Sequence, residues 1–187
     1  MARPRTISDE TLLAAAATAI GRRGPAFTIA DVASEAGVAA GTLIGRFGSK
    51  RGLLLAVAAA GRARTVARMR AAGSGARAVR AALVAGTEGL EDPVRAANHL
   101  AQLGADLADP ELRAALVADR RARRAELRRL VAGATDLPGA PPPARAADVL
   151  LSLLDGTLLA WSLDPRGALA KRVRRDVDVV LRGWRAA

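Results

Sequence analysis

Residues 28–50 read TIADVASEAGVAAGTLIGRFGSK, and the fold turns on this stretch. Thr28 and Asp31 have the spacing of a capping box, in which two side chains three residues apart satisfy each other's backbone N–H groups where a helix starts. Phe27 and Val32 are placed to staple across that cap. The helix they open is short, because Gly37 supplies the left-handed conformation that closes a helix near Ala36. Val38 then plugs the core, and a further helix is predicted over 40–47. In that helix Leu43 and Phe47 face inward, while Ala39, Ala40, Gly41, Thr42, Gly45 and Arg46 leave a thin outer face with one hydroxyl and one basic group. The pattern is a helix-turn-helix, and an outer face of this kind suits entry into a DNA major groove.

The flanking sequence completes a head. On the N-terminal side, Ser8 is a good N-cap and Asp9 and Glu10 suit the positive end of a helix dipole. Leu12, Leu13, Ala16, Ala17 and Ile20 recur at helical spacing, and Gly24-Pro25 ends the run. On the C-terminal side, Ser49 caps a longer helix carrying Lys50, Arg51, Leu53, Leu54 and Val57 towards Arg70.

The chain has 187 residues, 51% hydrophobic but only 2% aromatic, so its core must be built from Ala, Leu and Val. That vocabulary predicts an all-α fold. With no Cys and one His (His99), disulfides, thiol chemistry and metal sites are not expected. No secretory h-region and no stretch of about 18 apolar residues is evident, which predicts a cytoplasmic protein without a membrane partner. The net charge of +11 invites a polyanionic partner. Residues 1–50, however, hold six basic and four acidic side chains, so most of the surplus lies further along and also fits an Arg-rich compositional bias. DNA binding is therefore inferred from the motif and not from the charge.

Over residues 8–57 the sequence resembles the TetR family of regulators. The resemblance runs through Ala17, Ile20, Gly24, Thr28, Ile29, Val32-Ala33, Ala36-Gly37-Val38, Gly41-Thr42-Leu43, Phe47, Ser49-Lys50 and Leu53-Leu54. It implies a three-helix DNA-binding head over 1–50 on a helical-bundle ligand-sensing and dimerising body over 51–187. It also implies a contact set: Thr28 and Lys50 on phosphates, Ala40, Gly41 and Thr42 at base edges, and Arg46 at a phosphate or guanine. Ala39 and Ile44 stand at contact positions where the family often has Ser and Tyr, which removes two polar contacts. Arg3 and Arg5 are placed to enter an adjacent minor groove. The plain alternatives are a solvated tail for Arg3 and Arg5 and exposed surface charges for Arg46 and Lys50.

Beyond the head, Gly73 and Gly75 break the chain before a helix with Val79, Leu83, Val84 and Leu90. Asp92-Pro93 and Asp109-Pro110 each open another. Arginines at 120, 121, 123, 124, 128 and 129 crowd the second of these and predict a solvated face, and Pro138 to Pro143 form a linker. In the helix after Pro93, Asn98, His99, Gln102 and Asp106 lie opposite Leu100, Leu103 and Leu107, which predicts an amphipathic helix with its polar side in water. The other reading is a ligand site using His99, Gln102 and Leu103. The effector expected from a body rich in Leu and Val is a small, largely apolar molecule.

From Ala146 to Leu163 apolar residues occupy nearly every side, and a helix buried all round in a chain this small needs a second copy to cover it. The final helix, entered at Asp164-Pro165, repeats Leu169, Val173, Val177, Val180 and Trp184. The expected homodimer interface is Val149, Leu153, Leu154, Leu158, Trp161, Val173, Val177, Val180 and Trp184. The function so implied is a repressor released from a pseudo-palindromic operator by its effector. No cofactor is called for, and neither a phosphate-cradling loop nor paired catalytic carboxylates are present to suggest an enzyme. A basic scaffold for acidic partners is the remaining competitor.

Overall fold

The computed structural model describes residues 7–185, which form helices joined by short connections. Arg3 and Arg5 lie outside the described residues. Three helices build the head: α1 (Asp9–Arg23), α2 (Ile29–Ala36) and α3 (Ala40–Phe47), with a 3-10 turn at Gly24–Ala26 between the first two. The caps are those the sequence specifies. The Ser8 hydroxyl accepts from the Thr11 N–H, the Thr28–Asp31 capping box is complete, and Gly37 is left-handed at φ +66°. Ala39 starts α3 without any side-chain cap.

Leu12, Ala16, Phe27, Val32, Leu43 and Leu53 form the head's core. Leu54 and Leu112 join the same cluster, so the head's apolar centre extends past residue 50 into the following helix and the body. A close approach sets where α3 meets its successor: a Cβ at residue 52 would stand 2.0 Å from the Phe47 carbonyl oxygen, so only Gly52 lets the two helices join as they do.

The body comprises α4 (Lys50–Ala71), α5 (Gly75–Ala85), α6 (Pro93–Ala108), α7 (Pro110–Ala132), α8 (Pro143–Leu163) and α9 (Leu169–Arg185). The first packs along α7, α7 along α8, and α8 along α9. Their core gathers Met69, Val79, Leu83, Leu127, Leu130, Leu150, Leu151 and Trp161. The arginine run of α7 is only partly solvated. Arg120 reaches Asp155 of α8 at 2.5 Å, and Arg124 grips Asp148 with two bonds of 2.5 and 2.9 Å. Glu126 is buried between Arg70 and Arg129 at 2.7 and 2.9 Å; burial pushes its pKa up, but the two guanidinium groups outweigh that and hold it below the ordinary value.

Four expectations are corrected. The helix after Gly75 stops at Ala85, short of Leu90. Asp164-Pro165 does not open α9, which begins at Leu169, because the Trp161 indole N–H donates to the Gly167 carbonyl at 2.9 Å and holds the intervening residues as a loop. In α6 the polar side faces water only in part: His99 is exposed, but Asn98 and Asp106 are half-buried and Gln102 is 6% exposed, while Leu107 opposite is 50% exposed. Asn98 explains this, donating to the Gly21 carbonyl of α1 at 2.9 Å and so turning its face towards the head. Finally α8 is, by length and composition alone, apolar enough to cross a membrane, with 21 residues and a mean hydropathy of 1.4. Here it packs against α5, α6, α7 and α9.

Candidate nucleic-acid interface and effector cleft

Eight residues give α3 a length of about 12 Å, close to the width of a major groove. Leu43 anchors its inner side with no exposure, while Ala39, Ala40, Gly41, Ile44, Gly45 and Arg46 face outward and Thr42 is half-buried. Nothing lies near a Cβ built at Gly41 or Gly45, so the outer surface is clear for a partner.

The basic groups already have partners. Arg46 is paired with Asp9 in the first turn of α1, an exposed contact that a nucleic-acid phosphate would have to replace. Lys50 is half-buried: its ammonium donates to the Pro25 carbonyl at 2.8 Å and sits 4.2 Å from the centre of the Phe27 ring. An ammonium has three donors, so at least one remains for an oxyanion. The Thr28 hydroxyl is fully used, donating to the Asp31 carboxylate at 2.8 Å and accepting the Asp31 N–H at 3.1 Å. The bonds that the Asp31 carboxylate accepts from the Thr28 hydroxyl and the Thr28 backbone N–H hold its pKa below the ordinary value. At Thr28 the groups left for a phosphate are the backbone N–H donors of the following helical turn.

Two outcomes follow from these positions. Asp9→Asn releases Arg46 from an exposed ion pair worth about 0.2–1 kcal/mol, so DNA binding should tighten by up to about fivefold per subunit, measured by titration of a labelled duplex. Ile44 is 45% exposed and not tucked beneath α1, so a larger side chain meets no core. Ile44→Tyr should add a phosphate hydrogen bond with a net gain near 1 kcal/mol per subunit, about thirtyfold for a dimer, without altering sequence preference. Unchanged affinity, or a lower melting temperature, would show that the phenol does not reach DNA.

The residues expected at a dimer interface divide. Leu154, Trp161, Val173 and Val177 are buried within the protomer's own core and cannot meet a second copy. Val149, Leu153, Leu158, Val180 and Trp184 are half-buried. The apolar side chains that do face outward are Leu159 and Leu163 on α8 and Val179 on α9.

A cleft of about 490 Å³ lies where the head meets the body. Its lining includes Ala17, Ile20 and Gly21 of α1, Val57, Gly61, Arg64, Thr65 and Arg68 of α4, the turn after α5, Arg95 and His99 of α6, and Asp119 and Arg123 of α7. Of the three candidate ligand residues only His99 is in this lining. Gln102 is buried beside it, donating to Asp106 at 2.6 Å, and Leu103 does not reach the cleft. His99 is exposed on the cleft, and desolvation by the surrounding protein, helped by Arg123, keeps its pKa below the ordinary value. Sequence reasoning passed over Arg64, Arg68 and Arg95 and read Arg123 only as part of a solvated face. Their signal was the pair of glycines inside helices, Gly21 and Gly61, which make the space. Most of the body's Leu and Val pack in its core, and charged side chains share the cleft wall with apolar ones. Among the described residues no three His, Cys, Asp or Glu side chains gather to hold a metal.

Residues 12–57 match the family model described as bacterial regulatory proteins, tetR family. No curated protein sequence matches the chain. Among solved structures, a transcriptional regulator from Rhodococcus sp. Rha1 is similar with a TM-score of 0.75 at 22% identity, over 97% of this chain and 100% of that one. The TetR family regulator PfmR from Thermus thermophilus gives 0.69 at 22%, over 92% and 97%. SmeT, the repressor of a Stenotrophomonas maltophilia multidrug efflux pump, gives 0.70 at 18%, over 96% and 91%. At these identities the likeness speaks for the fold.

Proposed function

We propose that this chain, whose head matches the family model of tetR-type bacterial regulatory proteins over residues 12–57, is a cytoplasmic, non-enzymatic, homodimeric repressor released from a pseudo-palindromic operator by a small effector. The observation that carries this reading is α3: an eight-residue helix anchored by Leu43, uncapped by any side chain, with a thin outer surface. One such helix covers too few base pairs to be selective alone. Two copies related by a two-fold axis would place their recognition helices roughly 34–36 Å apart, on half-sites one helical turn apart.

The division of labour is a DNA-binding unit over 1–50, completed by the first turns of α4, and a sensing and dimerising unit over 51–187. Because the cleft is walled by α1 as well as by α4, α6 and α7, an effector seated there touches head and body together. A ligand that binds one arrangement of the two better than the other shifts the equilibrium by its differential affinity, which is the whole physical requirement for release.

The test separates two roles on the same surface. Lys50→Gln should weaken binding to all duplexes alike and flatten the salt dependence by about 0.9 for each phosphate the side chain no longer neutralises. Thr42→Ala should relax discrimination at one base position by about 1–3 kcal/mol. Operator selection from a random-sequence pool, repeated with each variant, reads both effects. If neither variant changed specificity, α3 would not be the reading element.

A further inference from the structure

The effector cleft has an unusual charge balance for a chamber in a Leu-rich body. It holds four guanidinium groups, from Arg64, Arg68, Arg95 and Arg123, against the two carboxylates of Glu88 and Asp119. Both carboxylates are already committed: Glu88 is paired with Arg68, and Asp119 with the Arg123 terminal nitrogen at 2.6 Å. Arg64 and Arg95 have no ion-pair partner among the described residues. Arg123 keeps its Nε–H buried beneath the wall without an acceptor, away from the cleft surface. Arg95 is also held in place from behind. A Cβ at Gly21 would come within 2.7 Å of its Nε, so the guanidinium lies flat against the bare backbone of α1. An uncompensated pair of cations on one concavity calls for oxygen acceptors carrying negative charge. The same concavity has an apolar side made by Ala17, Ile20, Val57 and Leu90.

Building on the sensing role proposed above, we propose that the effector is an amphiphilic oxyanion, a carboxylate or phosphate on a short apolar chain. Its charged end is held by Arg64 and Arg95; its apolar end lies on Ile20, Val57 and Leu90. The cavity is of the size that small ligands occupy. Because Arg95 rests on Gly21, neutralising its charge changes a contact made directly with α1, which couples the anion to the head.

The experiment is isothermal titration of the full chain with octanoate, octyl phosphate and octanol, which share an apolar tail and differ in the head. Octanoate or octyl phosphate should bind, with octanol at least about tenfold weaker, and the stronger of the two anions identifies the head group. Arg64→Gln and Arg95→Gln should each weaken the anion by about tenfold and leave octanol unchanged. Gly21→Ala, which pushes Arg95 off its seat, should act in the same direction. Circular dichroism melts of each variant confirm that it is folded. Equal binding of octanol and the anions would overturn the proposal, as would anion affinity unaffected by both arginine replacements, or no binding of either anion. Titrating the complex with a selected operator separates this from the sensing role. An anion that binds as described but leaves DNA affinity unchanged supports the site and overturns the effector reading. DNA release by octanol, insensitive to Arg64→Gln and Arg95→Gln, keeps the effector reading and overturns the anion.

Discussion

Leu159→Arg is expected to convert the proposed dimer to a monomer and to cost at least about a hundredfold in affinity for the proposed operator. Along α8, Val149, Ser152, Gly156, Leu159 and Leu163 recur at steps of three and four and share the side turned away from the protomer core. Leu159 is 51% exposed and Leu163 79% exposed, too much apolar surface to leave in water on a helix so rich in Leu. Across a two-fold axis the same patch meets itself, so a single Arg brings two like charges into one contact, at a cost of several kcal/mol. Losing the partner removes the second recognition helix, and the effective-concentration advantage of a linked pair is about 10²–10⁴. Sedimentation gives the mass, and a half-site duplex should still bind the monomer weakly. A stable dimer at micromolar concentration in this variant would place the interface elsewhere.

Trp161→Ala should be the most destabilising single change in the body. The side chain is 2% exposed, the largest fully buried one in the chain, and packs in the cluster that also holds Leu150, Leu151, Val173 and Val177. Truncating a buried Trp to Ala costs about 3–5 kcal/mol, against a total stability of roughly 5–15 kcal/mol for a domain. The change also leaves the Gly167 carbonyl without its indole donor, so the loop before α9 loses the bond that sets where that helix begins. Urea denaturation followed by far-ultraviolet circular dichroism measures the loss. A change under about 1 kcal/mol would mean that the indole is peripheral to the fold.

The head was legible because its signals are local. A hydroxyl, a carboxylate three residues on and a glycine at the turn fix α2 and its exit without any distant partner, and each cap is found where the spacing puts it. The body was legible only in outline. A helix apolar on all sides does not say which side meets its own chain, so its pattern points Leu154 and Trp161 outward as readily as Leu159 and Leu163, and only the second pair does face outward. The inward placement of Asn98 on the polar side of α6 comes with one long-range bond to α1, and no period within α6 encodes it. The cleft is assembled from α1, α4, α6, α7 and the turn after α5, so its arginines share no spacing in the chain.

The junction at Gly52 has a consequence in the language of inheritance. The residue is not part of the outer surface of α3, yet any added side chain would collide with the Phe47 carbonyl and swing that helix off its seat. Every base change at the first or second position of a glycine codon replaces the residue or ends the chain, so this one codon has no missense neighbour that leaves the joint as it is. With α3 as the proposed reading helix, a lineage could alter the sequence read by exchanging its outward residues one at a time, because Gly41 and Gly45 open onto empty space. It cannot alter the hinge on which all of those readers are mounted. The vocabulary of the reading head is thus free to drift while its mounting stays fixed.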